Sequence, residues 1–318
     1  MSSQTTYRRP RGQKTLSHRI ENAPETARFL RRAAPAFFRE LSKEYSRQTE
    51  PAPLTPDFRK WPNTGIHAAW LGHSTVLVKV DGFTILTDPV FSARVGISLG
   101  PMTLGIKRLV EPAALTSDLS QIDLIVLSHA HMDHFDLPSL RSLENPKTQV
   151  VTASQTSDLL RIKRYAKVQE ASWGQRVQAG AASVSAFQVA HWGARMRSDT
   201  YRGFNGYIIE VGRHRILFGG DTAYTEGFRK LKTNKSIDLA IMPIGAYDPW
   251  ISVHCNPEQA WEMANHAGSE FVLPVHHKTF LLSREPYSEP IERMLAAAGS
   301  HPDRVALQEI GGEFHLSK

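Results

Sequence analysis

The sequence predicts an α+β fold of two mixed β-sheets with helices on their outer faces. Three observations carry this. Short apolar runs rich in branched residues recur from residue 67 onward, about a dozen of them, interspersed with five or six helical patterns. Asp81-Gly82 and Gly212-Arg213 each separate two such runs as hairpin turns. Metal-compatible side chains stand at the ends of several runs, where a sheet can hold them against a site.

Composition sets the limits. The 318 residues are 41% hydrophobic and 22% charged, which suits a globular chain with a large core and argues against global disorder. The formal charge of +7 fits an anionic partner such as a phosphate ester, a lipid head group or nucleic acid, without choosing among them. The single cysteine, Cys255, excludes an intrachain disulfide framework and a thiolate metal cluster, and reads as a small packing residue. No apolar run approaches the length of a membrane span. The residues after Arg8-Arg9-Pro10-Arg11 lack the apolar stretch of a signal peptide, so a cytoplasmic protein is expected.

Taken in order, residues 1–65 read as a basic N-terminal extension and 66–318 as the folded domain. Within the extension, 22–47 is helical, with Pro35 in a first turn and Phe37, Phe38, Leu41 and Tyr45 on one apolar face. Docking on the domain is the expectation, and peripheral contact with an anionic membrane surface is the alternative. Pro51, Pro53, Pro56 and Pro62 make 51–65 an extended linker. Strands follow at 74–80 and 83–88, then an irregular stretch at 91–115 rich in Gly, Pro and Met. Further strands are expected at 122–127, 149–153, 167–170, 176–179, 182–189, 206–211, 214–218, 238–244 and 271–275. Helices are expected at 137–143, 157–165, 257–267 and 287–298.

The chemistry concentrates in Ser128-His129-Ala130-His131-Met132-Asp133-His134, directly after the strand at 122–127. Neutral imidazole and carboxylate suit zinc and related divalent metals. His191, Asp221 and His276 repeat the pattern, each following an apolar strand. Two metals about 3.5–4 Å apart need several neutral donors and a few carboxylates, one of which can span both ions. A bridging water then ionises near neutral pH and becomes the nucleophile.

Together, His129-Ala130-His131-Met132-Asp133-His134, His191, Asp221 and His276 resemble the metallo-β-lactamase fold superfamily over roughly residues 66–282. The resemblance implies a four-layer αββα sandwich with a binuclear site at one edge, holding two divalent ions, Zn²⁺ by the donor set. Carried over, His129, His131 and His191 would bind the first ion, Asp133, His134 and His276 the second, and Asp221 would bridge. Val275-His276-His277-Lys278-Thr279-Phe280 resembles an apolar-His-Trp-Gly-Thr-Phe segment of the family, which assigns the ligand to His276. His277 then occupies the Trp position and Lys278 the Gly position.

A narrower likeness is to the branch of N-acylphosphatidylethanolamine-hydrolysing phospholipase D, with ascorbate-6-phosphate lactonases beside it. It rests on Trp70-Leu71-Gly72-His73-Ser74-Thr75, Leu86-Thr87-Asp88-Pro89-Val90-Phe91, Phe218-Gly219-Gly220-Asp221-Thr222 and Pro243-Ile244-Gly245-Ala246-Tyr247. His254-Cys255-Asn256-Pro257-Glu258-Gln259-Ala260 also fits, with Asn256 in place of Asp. The expectation is a zinc hydrolase of phosphodiesters acting on a small-molecule or phospholipid substrate through a metal-bridging hydroxide, with Asp221 and His254 as catalytic groups. A sugar-phosphate lactonase is the runner-up. Specific nucleic-acid binding is disfavoured, since the basic tail lacks interleaved aromatics. Asp88 and Asp136 are candidates to hold ligand imidazoles. His73, Tyr247 and His277 are candidates to face the substrate, each with a structural role as the alternative.

Overall fold

In the computed structural model, which describes residues 47–317 with 100, 101 and 120 excepted, two mixed sheets lie face to face. The first contains β1 (Ile66–Gly72), β2 (Thr75–Val80), β3 (Phe83–Thr87), β6 (Leu124–Leu127), β7 (Gln149–Ala153), β8 (Lys167–Ala171) and β15 (Glu313–Leu316), ordered β15-β1-β2-β3-β6-β7-β8. The second runs β14-β13-β12-β11-β10-β9 and is built from β9 (Arg176–Ala179), β10 (Ala182–Phe187), β11 (Gly206–Val211), β12 (His214–Phe218), β13 (Ile237–Pro243) and β14 (Ser269–Val275). β4 (Arg94–Leu99) and β5 (Met102–Lys107) form a separate hairpin.

Alternation along the strands explains the layering. On β13, Leu239 and Ile241 enter the core between the sheets, with Ile85 and Ile125 from the first sheet. Ala240 and Met242 face the other way, onto Ala260, Met263 and Met294. Those last three belong to α2 (Pro257–Ala267) and α3 (Glu289–Ala298), while α1 (Leu137–Ser142) lies beyond the first sheet and adds Leu140 to its core. Asn256 starts α2 with a capping box to Gln259, and Gly268 ends it at φ 79°. Asn caps as well as Asp, so the departure from the family pattern at Asn256 costs the helix nothing.

β3, β6 and β7 run parallel, as do β12, β13 and β14. β10 pairs antiparallel with β11, and β11 with β12, so β10 points the same way as β12. The carboxyl ends of these strands therefore collect at one edge of each sheet, and the loops after β3, β6, β10, β12 and β14 carry Asp88, the 129–134 cluster, His191, Asp221 and His276.

Several expectations change. Gln48–Lys318 forms one compact unit. The Pro-rich stretch is held against the body: Leu54 N–H donates to Ile310 O at 3.2 Å, and the buried Trp61 indole donates to Glu313 at 2.6 Å. The segment 1–20 and, but for residue 47, the helix expected at 22–47 lie outside the described residues. The irregular stretch at 91–115 contains the β4–β5 hairpin. Its strand pattern is obscured by Gly96 and Gly105, which oppose one another where a Cβ on Gly105 would stand 1.9 Å from Val95 O. The helix expected at 157–165 is two short 3-10 turns, Ser157–Leu159 and Ile162–Arg164. There the Glu170 carboxylate accepts the backbone N–H groups of Gln155, Thr156 and Ser157 and fixes the start of the segment. Among the described residues no helix is long and apolar enough to cross a membrane.

Candidate metal centre

Local backbone devices bring the donors together. His131 O accepts the N–H groups of His134 and Phe135, folding 131–135 into a turn, and Arg195 donates to Ala130 O and Phe135 O across it. Gly220 sits at φ 57°, where a Cβ would lie 2.8 Å from Asn205 O and 2.9 Å from Ser128 Cβ. Only glycine lets Asp221 approach the histidine loop so closely.

Two groups of donors result. In the first, His131 Nδ1 lies 2.8 Å from His129 Nε2 and 3.3 Å from His191 Nε2. His191 Nδ1 donates to Val253 O at 2.8 Å, which fixes its tautomer and leaves Nε2 as the inward lone pair. In the second, Asp133 Oδ2 stands 3.1 Å from His73 Nε2 and 3.6 Å from both His134 Nε2 and His276 Nε2. Asp221 lies between the groups. Its Oδ2 is 3.1 Å from His134 Nε2, 3.1 Å from His276 Nε2, 3.8 Å from His191 Nε2 and 3.7 Å from His254 Nδ1. The 3.1 Å approaches lack hydrogen-bond alignment, and Asp221 Oδ1 and His254 Nδ1 have no hydrogen-bond partner although buried. These atoms face a common space rather than one another.

Electrostatics shows what that space is built for. Burial opposes charge at Asp221, but His134 and His276 overcome it and hold the carboxyl well below its usual range. Asp133 behaves alike: burial opposes its charge, and His134, His276 and His73 outweigh it. Burial would lower His134 and His276, yet Asp221 and Asp133 raise His134 well above its ordinary value and His276 to about 9. Elsewhere burial prevails, holding His129 and His131 low, His191 and His73 at about 3 and His254 at about 4. Two ionised carboxylates thus demand positive charge at a buried point ringed by inward nitrogens. Protons on His134 and His276 meet that demand, and a divalent cation would meet it better. The residues fit a metal: His129, His131 and His191 form one set whose donor atoms lie within 4.8 Å of one another, and His73, Asp133, His134 and His276 another.

The remaining sequence candidates separate. Asp88 is fully buried; its carboxylate accepts from His134 Nδ1 at 2.7 Å and from Ser128 N–H at 2.7 Å. Ser128 is a participant that sequence reasoning passed over: its hydroxyl donates to Asp88 and lies 2.8 Å from His129 Nδ1. A hydroxyl directly before a clustered histidine was the available signal. Asp136 holds no imidazole. It accepts from Ser92 at 2.6 Å and from Ser139, tying the loop after β3 to α1. Tyr247 is committed away from the centre, donating to Glu289 at 2.8 Å under Arg293. His277 is buried against Trp70 with ring centroids 4.6 Å apart. His73 is 1% exposed. His254 retains 12% side-chain exposure at the mouth of the centre. Trp192 stands 4.8 Å from the His131 ring and 4.5 Å from His191.

Residues 84–277 match the family model described as a beta-lactamase superfamily domain. An uncharacterized protein of Mycobacterium tuberculosis is 32% identical over 271 residues, spanning 82% of this chain and 72% of its own length. The N-acyl-phosphatidylethanolamine-hydrolyzing phospholipase D 1 of Caenorhabditis elegans is 30% identical over 253 residues, covering 73% of this chain and 69% of that one. Among solved structures, a metallo-beta-lactamase fold protein from Bacillus subtilis superimposes with a TM-score of 0.55 at 16% identity, over 80% of this chain and all of its own.

Proposed function

The chain belongs to the beta-lactamase superfamily, and from that premise we propose that it is a metal-dependent hydrolase of phosphodiesters, with N-acylated ethanolamine phospholipids as the leading substrate class. The observation that carries the hydrolase reading is the position of Asp221, whose Oδ2 lies within 3.8 Å of imidazole nitrogens from both donor groups. His129, His131 and His191 would hold one Zn²⁺ and Asp133, His134 and His276 a second, with Asp221 reaching both. Bound ions would supply a nucleophile at neutral pH and positive charge against the anion that develops on phosphorus.

The protein's own groups do the rest. Asp221 orients the attacking water by accepting its hydrogen bond. His254, held neutral by burial and with Nδ1 unpartnered, takes the proton as the new P–O bond forms. It returns that proton to the alcohol oxygen as the old P–O bond breaks. Exposed Trp192, Trp250 and Ile251 flank this mouth: the Trp192 ring lies tilted 4.5 Å from His191, and the 250–254 turn receives the His191 hydrogen bond at Val253. Apolar rims beside a cationic centre favour an amphiphile over a small polar ester, and the relative from Caenorhabditis elegans is named for such a substrate.

The test is zinc-loaded protein against N-acylphosphatidylethanolamine in mixed micelles and a chromogenic phosphodiester, with and without chelator. A sugar-phosphate lactone serves as the comparison. Chelator-sensitive phosphodiester turnover is expected; turnover of the lactone alone, or of nothing, overturns the proposal.

A further inference from the structure

We infer that His73 is a positioning residue for Asp133, donating from Nε2–H to Oδ2 and so setting the direction in which that carboxylate meets His134 and His276. The inference deepens the metal reading above and rests on it.

The contact is 3.1 Å long, and His73 is 1% exposed. An ionised carboxylate can only accept, so the proton of the pair lies on His73 Nε2. A nitrogen carrying that proton is not a metal donor. Thus His73, although within 4.8 Å of the Asp133, His134 and His276 donors, acts through the carboxylate rather than beside it.

The backbone around His73 is built to hold this contact. The residue sits in the left-handed region at φ 51°, directly after Gly72 at φ 117°. A non-glycine residue stays there only when its surroundings dictate it. Three hydrogen bonds do so. His73 N–H donates to Thr279 Oγ1 at 2.6 Å, and its carbonyl accepts from the Trp70 indole at 2.7 Å and from His276 N–H at 3.1 Å. The turn between β1 and β2 is thereby fastened to the loop that carries His276. The ring itself is wedged 4.2 Å from His276, 5.1 Å from His134 and 5.2 Å, edge-on, from Phe280. Asp133 keeps 18% side-chain exposure, so water competes for one flank of the carboxylate and His73 secures the other. Such partners of metal ligands typically govern affinity as well as activity.

The competing account is that His73 merely fills space. His73→Phe keeps the ring and removes the donor, while His73→Gln keeps an N–H donor of similar reach. Zn²⁺ affinity is read by chelator competition in both variants and in an Asp133→Asn background. The ion that Asp133→Asn weakens identifies the second site, and retention of the other ion certifies the fold. His73→Phe is expected to weaken that second ion by about 10- to 100-fold, His73→Gln to stay near wild type, and His73→Phe to add nothing in the Asp133→Asn background. Wild-type affinity in His73→Phe overturns the inference. So does a full additional loss in the Asp133→Asn background, or a loss in His73→Gln equal to that in His73→Phe. A wild-type protein that binds no Zn²⁺ overturns the metal reading, and this inference falls with it.

Discussion

His134 and Asp88 form a fully buried hydrogen-bonded pair, with Nδ1 2.7 Å from Oδ2 and neither side chain exposed. The bond fixes the ring so that Nε2 faces Asp221, and the same carboxylate holds Ser128 beside His129. Asp88→Ala leaves a buried imidazole and a hydroxyl unpaired and should cost about 3–5 kcal/mol. Asp88→Asn preserves volume but offers His134 an ambiguous partner, and should weaken Zn²⁺ binding by about 10- to 100-fold with a smaller stability loss. Thermal unfolding and chelator competition measure the two effects separately.

Zinc binding should release protons. With His276 raised to about 9 and His134 well above its usual value, both rings are protonated at pH 7 in the metal-free protein. About two protons should therefore leave per molecule at pH 7 as the ions enter. Affinity should rise with pH, and the release from His276 should vanish above about 9. Calorimetry in buffers of different ionisation enthalpy reads this count.

The metal-free protein should also have a stability maximum near neutrality. His276, raised from 6.5 to about 9, adds stability that is fully present below 6.5 and lost as pH climbs through 9. His191 and His73 have the opposite sign: lowered from 6.5 to about 3, they favour the fold above 6.5 and cost stability as pH falls through that range. Melting temperature against pH, with and without Zn²⁺, tests this. Zinc should abolish the alkaline decline.

Neighbouring histidines 276 and 277 should respond oppositely to the same change. His277 is buried with no hydrogen-bond partner at either ring nitrogen, and its ring stacks on Trp70. His277→Phe keeps the stack, removes two orphaned polar atoms and should stabilise by about 1 kcal/mol with Zn²⁺ affinity unchanged. His276→Phe should abolish the second ion. Equal losses in both variants would show that the two positions are not distinct.

Lys278 stands in the left-handed region at φ 57°, which explains why the resembled segment has glycine there. Its ammonium reaches Gln308 O at 3.1 Å and Glu309 at 2.6 Å, pinning the segment before β15. Lys278→Ala loses these bonds, keeps the strain and should cost about 1 kcal/mol. Lys278→Gly relieves the strain and should recover part of that loss in urea unfolding.

The centre was legible in the sequence because its chemistry clusters where strands end. His129 to His134 follow β6 directly, and His191, Asp221 and His276 each follow a strand of plain apolar character. The supports were not legible, since they depend on long-range approach. Ser128, Arg195 and the Val253 carbonyl matter through partners brought near by folding. Tyr247 and Asp136 looked available in sequence, yet Glu289 and the Ser92–Ser139 pair occupy them. β1 escaped the strand pattern because His67, Ala68, Ala69 and Gly72 dilute its β-branched and aromatic signal. β15 escaped it as a short edge strand.

The donors come from both halves of the sandwich. His129 to His134 hang from the first sheet, and His191, Asp221 and His276 from the second. Any ion seated there is a rivet through the seam between two walls, and its loss leaves that edge to the few hydrogen bonds that span it, such as His276 N–H to His73 O and Asn205 N–H to Ser128 O. Opening should therefore begin at this edge, as a hinge whose pin has been drawn, and amide exchange at 128–134 and 219–223 should quicken together when metal is removed.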